Sequence, residues 1–410
     1  MVINKPISIV GGGVAGINAA EALRKEGFQG RIILFDKSTD MPYDRPPLSK
    51  EYMLGEQTEV ELLLFDISEY EKLGIELKLG VEIKSIDVEN KELISSDGER
   101  YQWEKLLLAT GSKLRRLQIE GDHLANIYYL KTLSDAKRIK EKLVNISKLV
   151  IVGAGFIGAE LASVARSLGI EVTIIERAHL PMERILGEEM GEYFLNLHLS
   201  NNVEVITNDS IALIKGKSKV EEVITTEGRN IQCQAIVVGV GVDANIALAH
   251  DALKVDRGYL VDVFGETTIP GIFAVGDCAM WPYQEKNIHV EHWDHAVNHS
   301  KIVSKNILKS QSAPYERIPY FWSDQYNHRF QYLGHTPEWS STVFRGDIKN
   351  EKFTCFYLDK DGIIQAAMIV NEPKNVLPIR RLISEQKQFK IEILSNPNVP
   401  LKNISAFAKT

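Results

Sequence analysis

No cysteine precedes Cys233, and only Cys278 and Cys355 follow it. This wide spacing excludes a paired-cysteine zinc site and an even-numbered disulfide framework, and it reads as three reduced thiols. The missing sulphur matters most between Asp36 and Tyr52, where "MPYDRPPLSK" offers Arg45, two prolines and Lys50 instead. A dithiol relay needs two cysteines there, and peroxide chemistry needs one. Also absent is any apolar run near the ~20 residues that span a bilayer. The opening "MVINKPISIV" lacks a basic region, a long apolar segment and a cleavage site, so export is not expected and the chain reads as cytoplasmic. A formal charge of -7 disfavours nonspecific binding to nucleic acid or to an anionic membrane. No metal site is expected.

What the sequence does contain begins with one pattern written twice. "ISIVGGGVAGINAAEALRKEG" passes from a β-rich apolar stretch through Gly11, Gly13 and Gly16 into a helical apolar period at Ala19, Ala22 and Leu23. In such a strand-turn-helix unit Gly11 permits the turn, Gly13 lets a pyrophosphate approach the backbone, and Gly16 lets the helix lie on the strand. The helix N-terminus then stabilises the anion. The strand "RIILFD" ends at Asp36, at the ~20-residue offset of an acid that accepts hydrogen bonds from a ribose. About 140 residues downstream, "KLVIVGAGFIGAELASVARSLGIEVTIIE" repeats the pattern with Gly153, Gly155, Gly158 and Glu176. Two such units call for two dinucleotides, and the economical pairing is FAD on the first and a nicotinamide cofactor on the second. Glu176 suits a free ribose diol and repels a 2′-phosphate, which favours NADH. The neighbouring Arg177 offsets part of that repulsion, so NADPH stays open.

Further segments follow in an order that resembles the two-dinucleotide-domain flavoprotein reductases. "LLLATGS", with Ala109, Thr110 and Gly111, resembles their crossover out of the FAD domain. "TTIPGIFAVGDCA" resembles their second FAD motif, in which Asp277 after Gly276 accepts bonds from the ribitol chain, and "AIVVGVGVDANIALA" carries Gly241 on the strand returning from the NAD domain. The implied fold class is α/β, with two Rossmann-like dinucleotide-binding domains of the glutathione-reductase type and a C-terminal α+β domain. The boundaries that follow are 1-115 with 244-320 for FAD, 116-243 for NAD(P), and 321-410 for the C-terminal domain. In that last part "TVFRG", "KFTCFYL" and "IIQAAMIV" read as strands and "VLPIRRLISE" as a helix.

"YDRPPLSK" narrows the resemblance to the FAD-dependent ferredoxin reductases of oxygenase systems. "HVEHWDHAVNHSKIVSKNIL", "PYFWSDQYNHRFQYLG" and "AAMIVNEPKNVLPIRRLI" extend it over essentially the whole chain. The resemblance implies hydride transfer from NADH to flavin N5, then two single-electron transfers to a [2Fe-2S] ferredoxin. It also implies roles. Lys50 lies near the isoalloxazine and counters the negative charge that the hydride adds; Glu160 pairs with this lysine and meets the nicotinamide. Trp293 and Trp322 are aromatic surfaces beside the flavin, with Trp322 on the side where the ferredoxin docks. Further cofactor contacts are implied at Ala15, Arg45, Ile83, Ala109, Thr110, Gly111, Lys131, Ile157 and Gly241. The chain departs from its relatives at Asp36, often glutamate, and at Lys131, often arginine, where a bidentate phosphate contact becomes a point charge. Because ferredoxins are acidic, Arg329, Arg345, Lys349, Arg380 and Arg381 are candidate docking charges. Two other readings stay open: reduction of rubredoxin or an ascorbate radical, and an FAD signalling protein like the apoptosis-inducing flavoproteins. Monomer and homodimer are both compatible with the sequence.

Overall fold

The computed structural model of the protein describes residues 5-408. They form two compact units: residues 5-44, 59-113 and 242-319 make the first, and residues 45-58, 114-241 and 320-408 the second. Among the described residues no helix is long and apolar enough to cross a membrane.

In the first unit, Ile7–Val10 is buried at every position, the burial of a central strand in a sheet covered on both faces. It pairs in parallel with Ile32–Asp36 and Lys105–Leu108. The five-stranded sheet continues to Ile75–Leu79 beyond the former and Ile272–Ala274 beyond the latter. The chain visits one neighbour of the central strand first and the other later, so strand order reverses at the carboxyl end of Ile7–Val10, where Gly11 begins its turn. Such a switch point is where open α/β sheets bind ligands. The helix Val14–Lys25 buries Ile17, Ala19, Ala20 and Leu23. They share a core with Ala296, Val303 and Ile307 of the helix Trp293–Lys309.

The second unit repeats this plan. Its parallel sheet runs Val203–Ile206, Glu171–Ile175, Lys148–Val152, Ala235–Val238, Ile127–Tyr129. The same unit contains a five-stranded antiparallel sheet in the order Tyr320–Gln325, His328–Gly334, Ile364–Val370, Lys352–Leu358, Ser341–Asp347. The strand expected at "KFTCFYL" and the helix expected at "VLPIRRLISE" coincide with Lys352–Leu358 and Val376–Glu385. Phe330, Phe353 and Tyr357 of the sheet share a core with Met190, Phe194 and Leu197 of the helix Glu183–Ser200. That helix is interrupted at Gly187, where φ is 79°; a Cβ there would lie 2.7 Å from the Trp339 ring. The Leu186 carbonyl at the break accepts a hydrogen bond from Tyr357 Oη at 2.9 Å.

Residues 45-58, which the sequence groups with the first dinucleotide domain, lie in the second unit. They form a tight turn, Pro46–Ser49, followed by the short helix Glu51–Leu54. Pro46 and Pro47 fix φ at the first positions of the turn, where no backbone donor is needed. Leu48, Ser49 and Lys50, which follow, are buried.

Candidate active site

The first glycine turn is built by close approach of backbone. At Gly11 φ is +116°, and a Cβ would stand 2.1 Å from the Ala109 carbonyl oxygen; at Gly16 it would stand 2.0 Å from the Gly11 carbonyl. Gly13 caps the helix without a side chain, so the first amides are free to face an anion. Asp36 is held by two backbone donors, Gly12 N at 2.6 Å and Ser38 N at 2.8 Å. Gly276 comes to the same place, since a Cβ on it would be 3.1 Å from Ala15 Cβ. Asp277 accepts from Ser112 Oγ at 2.9 Å. Thr110 Oγ1 donates to the Asn245 carbonyl, and Asn245 N donates to that of Gly111, tying the crossover strand to the returning chain. Trp293 Nε1 donates to Asp44 Oδ1 at 2.7 Å, which fixes the indole at the start of its helix. Ile83 is buried in the neighbouring hydrophobic core.

The second turn has the same geometry. Gly153 has φ +96°, with a Cβ position 2.5 Å from the Gly239 carbonyl, and a Cβ on Gly158 would lie 2.2 Å from the Gly153 carbonyl. Gly155 caps its helix and faces open space. Glu176 accepts from Ala154 N at 2.7 Å and Ala178 N at 2.8 Å. Ile157 stands out as an apolar side chain left 47% exposed beside this turn. Gly241 accepts from Arg115 N. Lys131 precedes the helix Leu133–Leu143, its amide donating to Asp135 Oδ2, and Arg45 is exposed. Both turns therefore fit a dinucleotide: a cradle that any Cβ would fill, uncapped helix amides for the pyrophosphate, and a clamped carboxylate for a ribose.

One turn beyond Gly155 the second helix carries Glu160, only 4% exposed. Its carboxylate accepts from Ser49 Oγ at 2.5 Å and Ser323 Oγ at 2.7 Å, and faces Lys50 Nζ at 3.5 Å. Burial pushes the Glu160 carboxyl above the usual carboxylate range, while Lys50 and the two hydroxyls pull it back. Lys50 Nζ also lies 3.9 Å from Asp324 Oδ2 and 5.7 Å from the centroid of the Trp322 ring. Tyr320 stacks on Trp322, and Arg380 lies over Tyr320. The structure thus brings Lys50, Glu160 and Trp322 together within the second unit. Ser49 and Ser323 were not anticipated. The available signal was two small polar residues flanking named positions in "PPLSK" and "FWSDQ", and nothing in spacing distinguishes them from surface serines.

Two other groups are clarified. All three thiols are buried; Cys233 and Cys355 are pushed up to about 12 by loss of solvent, and Cys278, whose Sγ donates to the Leu108 and Val275 carbonyls, is also raised. Arg345 is no docking charge. It is 7% exposed, and its guanidinium donates to the carbonyls of Leu394, Asn396, Pro397 and Val399, stapling the C-terminal segment. Arg381 pairs with Glu385 at 2.8 Å.

Residues 5-300 match the family model described as pyridine nucleotide-disulphide oxidoreductase, and residues 320-405 match the one described as reductase C-terminal. The chain belongs to this family of FAD- and NAD-binding oxidoreductases. Within it, the chain groups with the ferredoxin–NAD(+) reductases. The reductase component of the anthranilate 1,2-dioxygenase system of Burkholderia cepacia is 34% identical over 400 residues, covering 97% of this chain and 98% of the relative. Putidaredoxin reductase of Pseudomonas putida is 31% identical over 415 residues, covering 99% and 98%. The crystal structure of the covalent putidaredoxin reductase–putidaredoxin complex superposes with a TM-score of 0.95 at 30% identity, over 99% of both chains.

Proposed function

We propose that this chain takes a hydride from NADH and passes its electrons singly to a [2Fe-2S] ferredoxin serving a Rieske-type or haem-thiolate oxygenase. When bound, FAD supplies the conversion from a two-electron donor to a one-electron acceptor. The observation that carries the reading is the burial of every thiol: with no accessible sulphur, a disulfide relay has no first member. The full-length similarity to ferredoxin–NAD(+) reductases supplies the acceptor class.

FAD is held by the Gly11–Gly16 turn with Asp36, Thr110, Gly111 and Asp277, and NADH by the Gly153–Gly158 turn with Ile157, Glu176 and Gly241. These sites correspond to an FAD domain of residues 1-115 and 244-320 and an NAD domain of residues 116-243, followed by the C-terminal domain 321-410. Lys50 contributes a fixed positive charge where hydride transfer builds negative charge, and its partner Glu160 keeps that ammonium oriented. Ser49 and Ser323 supply the donors that make a buried carboxylate tolerable beside it. Glu176, with both oxygens already clamped by backbone amides, favours the ribose diol of NADH over a 2′-phosphate. The site of action is the cytoplasm.

The test is direct. Purified holoenzyme, yellow with FAD, reduces ferricyanide with NADH and reduces cytochrome c rapidly only when a [2Fe-2S] ferredoxin is added. Failure of every ferredoxin encoded in its genome to stimulate that reaction overturns the reading. A kcat/KM for NADPH above that for NADH overturns the choice of donor.

A further inference from the structure

The helix Phe156–Ser167 meets the strand Tyr320–Gln325 and the turn after it at three contacts. Phe156 packs edge-on against Phe321, with centroids 4.7 Å apart. Glu160 accepts from Ser323. Ser163 Oγ accepts from the amide of Tyr326, at the turn that ends the strand. From Phe156 to Glu160 the helix rises ~6 Å and from Phe321 to Ser323 the strand rises ~6.6 Å, so these two contacts are in step.

Gln325 shares the strand face with Ser323. Its Nε2 donates to Ser323 Oγ at 3.1 Å, and both residues are fully buried. An ionised carboxylate only accepts. The Ser323 proton therefore lies on the contact to Glu160, and a lone pair of its oxygen takes the Gln325 amide. The chain of donors runs one way, from Gln325 through Ser323 to Glu160. Ser49 supplies a second hydroxyl to the other carboxylate oxygen. Lys50 Nζ faces Glu160 at 3.5 Å and lies 3.9 Å from Asp324 Oδ2.

We propose that Ser323, aimed by Gln325, is a positioning residue that holds Glu160 as an oriented carboxylate toward Lys50. The inference takes Glu160 as a member of the hydride-transfer site, as proposed above. Its consequence is that the C-terminal sheet tunes the charge state of a residue carried on the nicotinamide-binding helix. A hydroxyl that donates to the carboxylate favours its charged form, so removing the hydroxyl must make Glu160 easier to protonate.

The experiment titrates Glu160 in the holoenzyme by difference infrared spectroscopy, using the protonated-carboxyl stretch that disappears in Glu160→Gln. In Ser323→Ala the midpoint of this band moves up by about one pH unit, the size expected when one hydrogen bond to a charged group is lost. The acid limb of the rate of FAD reduction by NADH moves up with it. Gln325→Leu moves the midpoint the same way by less, because Ser323 remains but is no longer aimed, and it carries the test alone if Ser323→Ala does not fold. A midpoint equal to wild type in the folded variant overturns the proposal. If Glu160→Gln is reduced by NADH as fast as wild type while Ser323→Ala still shifts the band, the role given to Glu160 in hydride transfer fails and the positioning contact stands.

Discussion

At the first glycine turn the acid is Asp36 and the amide it accepts belongs to Gly12; at the second the acid is Glu176 and the amide belongs to Ala154. The two differences explain each other. Aspartate is one methylene shorter, so its carboxylate reaches the turn only by drawing its own stem close, and a Cβ on Gly12 would lie 2.5 Å from Asp36 Oδ2 and 3.0 Å from Asp36 Cβ. Glutamate reaches from further back and leaves room for the methyl of Ala154. The helices that follow differ in a second way. Asn18 occupies the position equivalent to Glu160, and its amide donates to Val14 O of its own helix at 2.9 Å. Glu160 instead takes donors from two other segments. At this position the first helix holds a side chain bonded within itself, whereas the second holds a buried carboxylate bonded to other segments.

This contrast can be broken in four places. The largest effect is expected from Lys50→Met, which removes the charge facing Glu160; FAD reduction by NADH in anaerobic stopped flow should slow by about 100-fold, with FAD content unchanged. Next is Gly12→Ala, whose methyl displaces the Asp36 carboxylate and should weaken FAD retention by about 1–2 kcal/mol. Adding Asp36→Glu rebuilds the second turn's chemistry in the first and should recover most of that loss, so FAD affinities of the two singles and the double measure the coupling. The reciprocal change, Glu176→Asp, should raise the Kd for NADH by roughly tenfold, because the shortened acid cannot reach Ala154 N without meeting its methyl.

The smallest effect is the response to acid, which buried histidines carry in both units. The first unit buries His295 and His299 against Trp281 and Tyr315, and neither ring nitrogen of His299 has a hydrogen-bond partner among the described residues. Burial lowers His299 to about 3 and His295 well below its ordinary value, while His198 in the second unit is lowered to about 4. Each folded value lies below the unfolded one, so the unfolded chain binds more protons as pH falls below the ordinary 6.5. Stability is therefore fully present above that pH and is lost progressively as pH falls toward the folded values. His299→Leu should remove roughly 1 kcal/mol of the loss seen between about pH 8 and pH 6 in denaturant titrations.

Much of this was legible in the sequence because it is local. A glycine turn with its acid on the next strand, the strand Lys352–Leu358 and the helix Val376–Glu385 announce themselves within a few dozen residues through turn chemistry and periodicity. What escaped was long-range. Ser49 and Ser323 reach Glu160 across 111 and 163 residues of sequence, and a small hydroxyl residue carries no periodic signal. Arg345 misled for a related reason: a lone cation in a strand reads as surface unless the carbonyls of residues 394-399 are known to surround it. The turn of residues 45-58 reads as part of the first dinucleotide domain by position in the chain, yet its contacts are with the second unit, where Glu160 takes its donors.

On the proposed function, electrons leave this protein without passing through sulphur. The variant Cys233→Ala, Cys278→Ala, Cys355→Ala, assayed for NADH-driven cytochrome c reduction through a [2Fe-2S] ferredoxin, tests it most directly. Wild-type ferredoxin-dependent turnover per bound FAD is the expected result. Loss of that turnover in a folded variant that retains its FAD would contradict it.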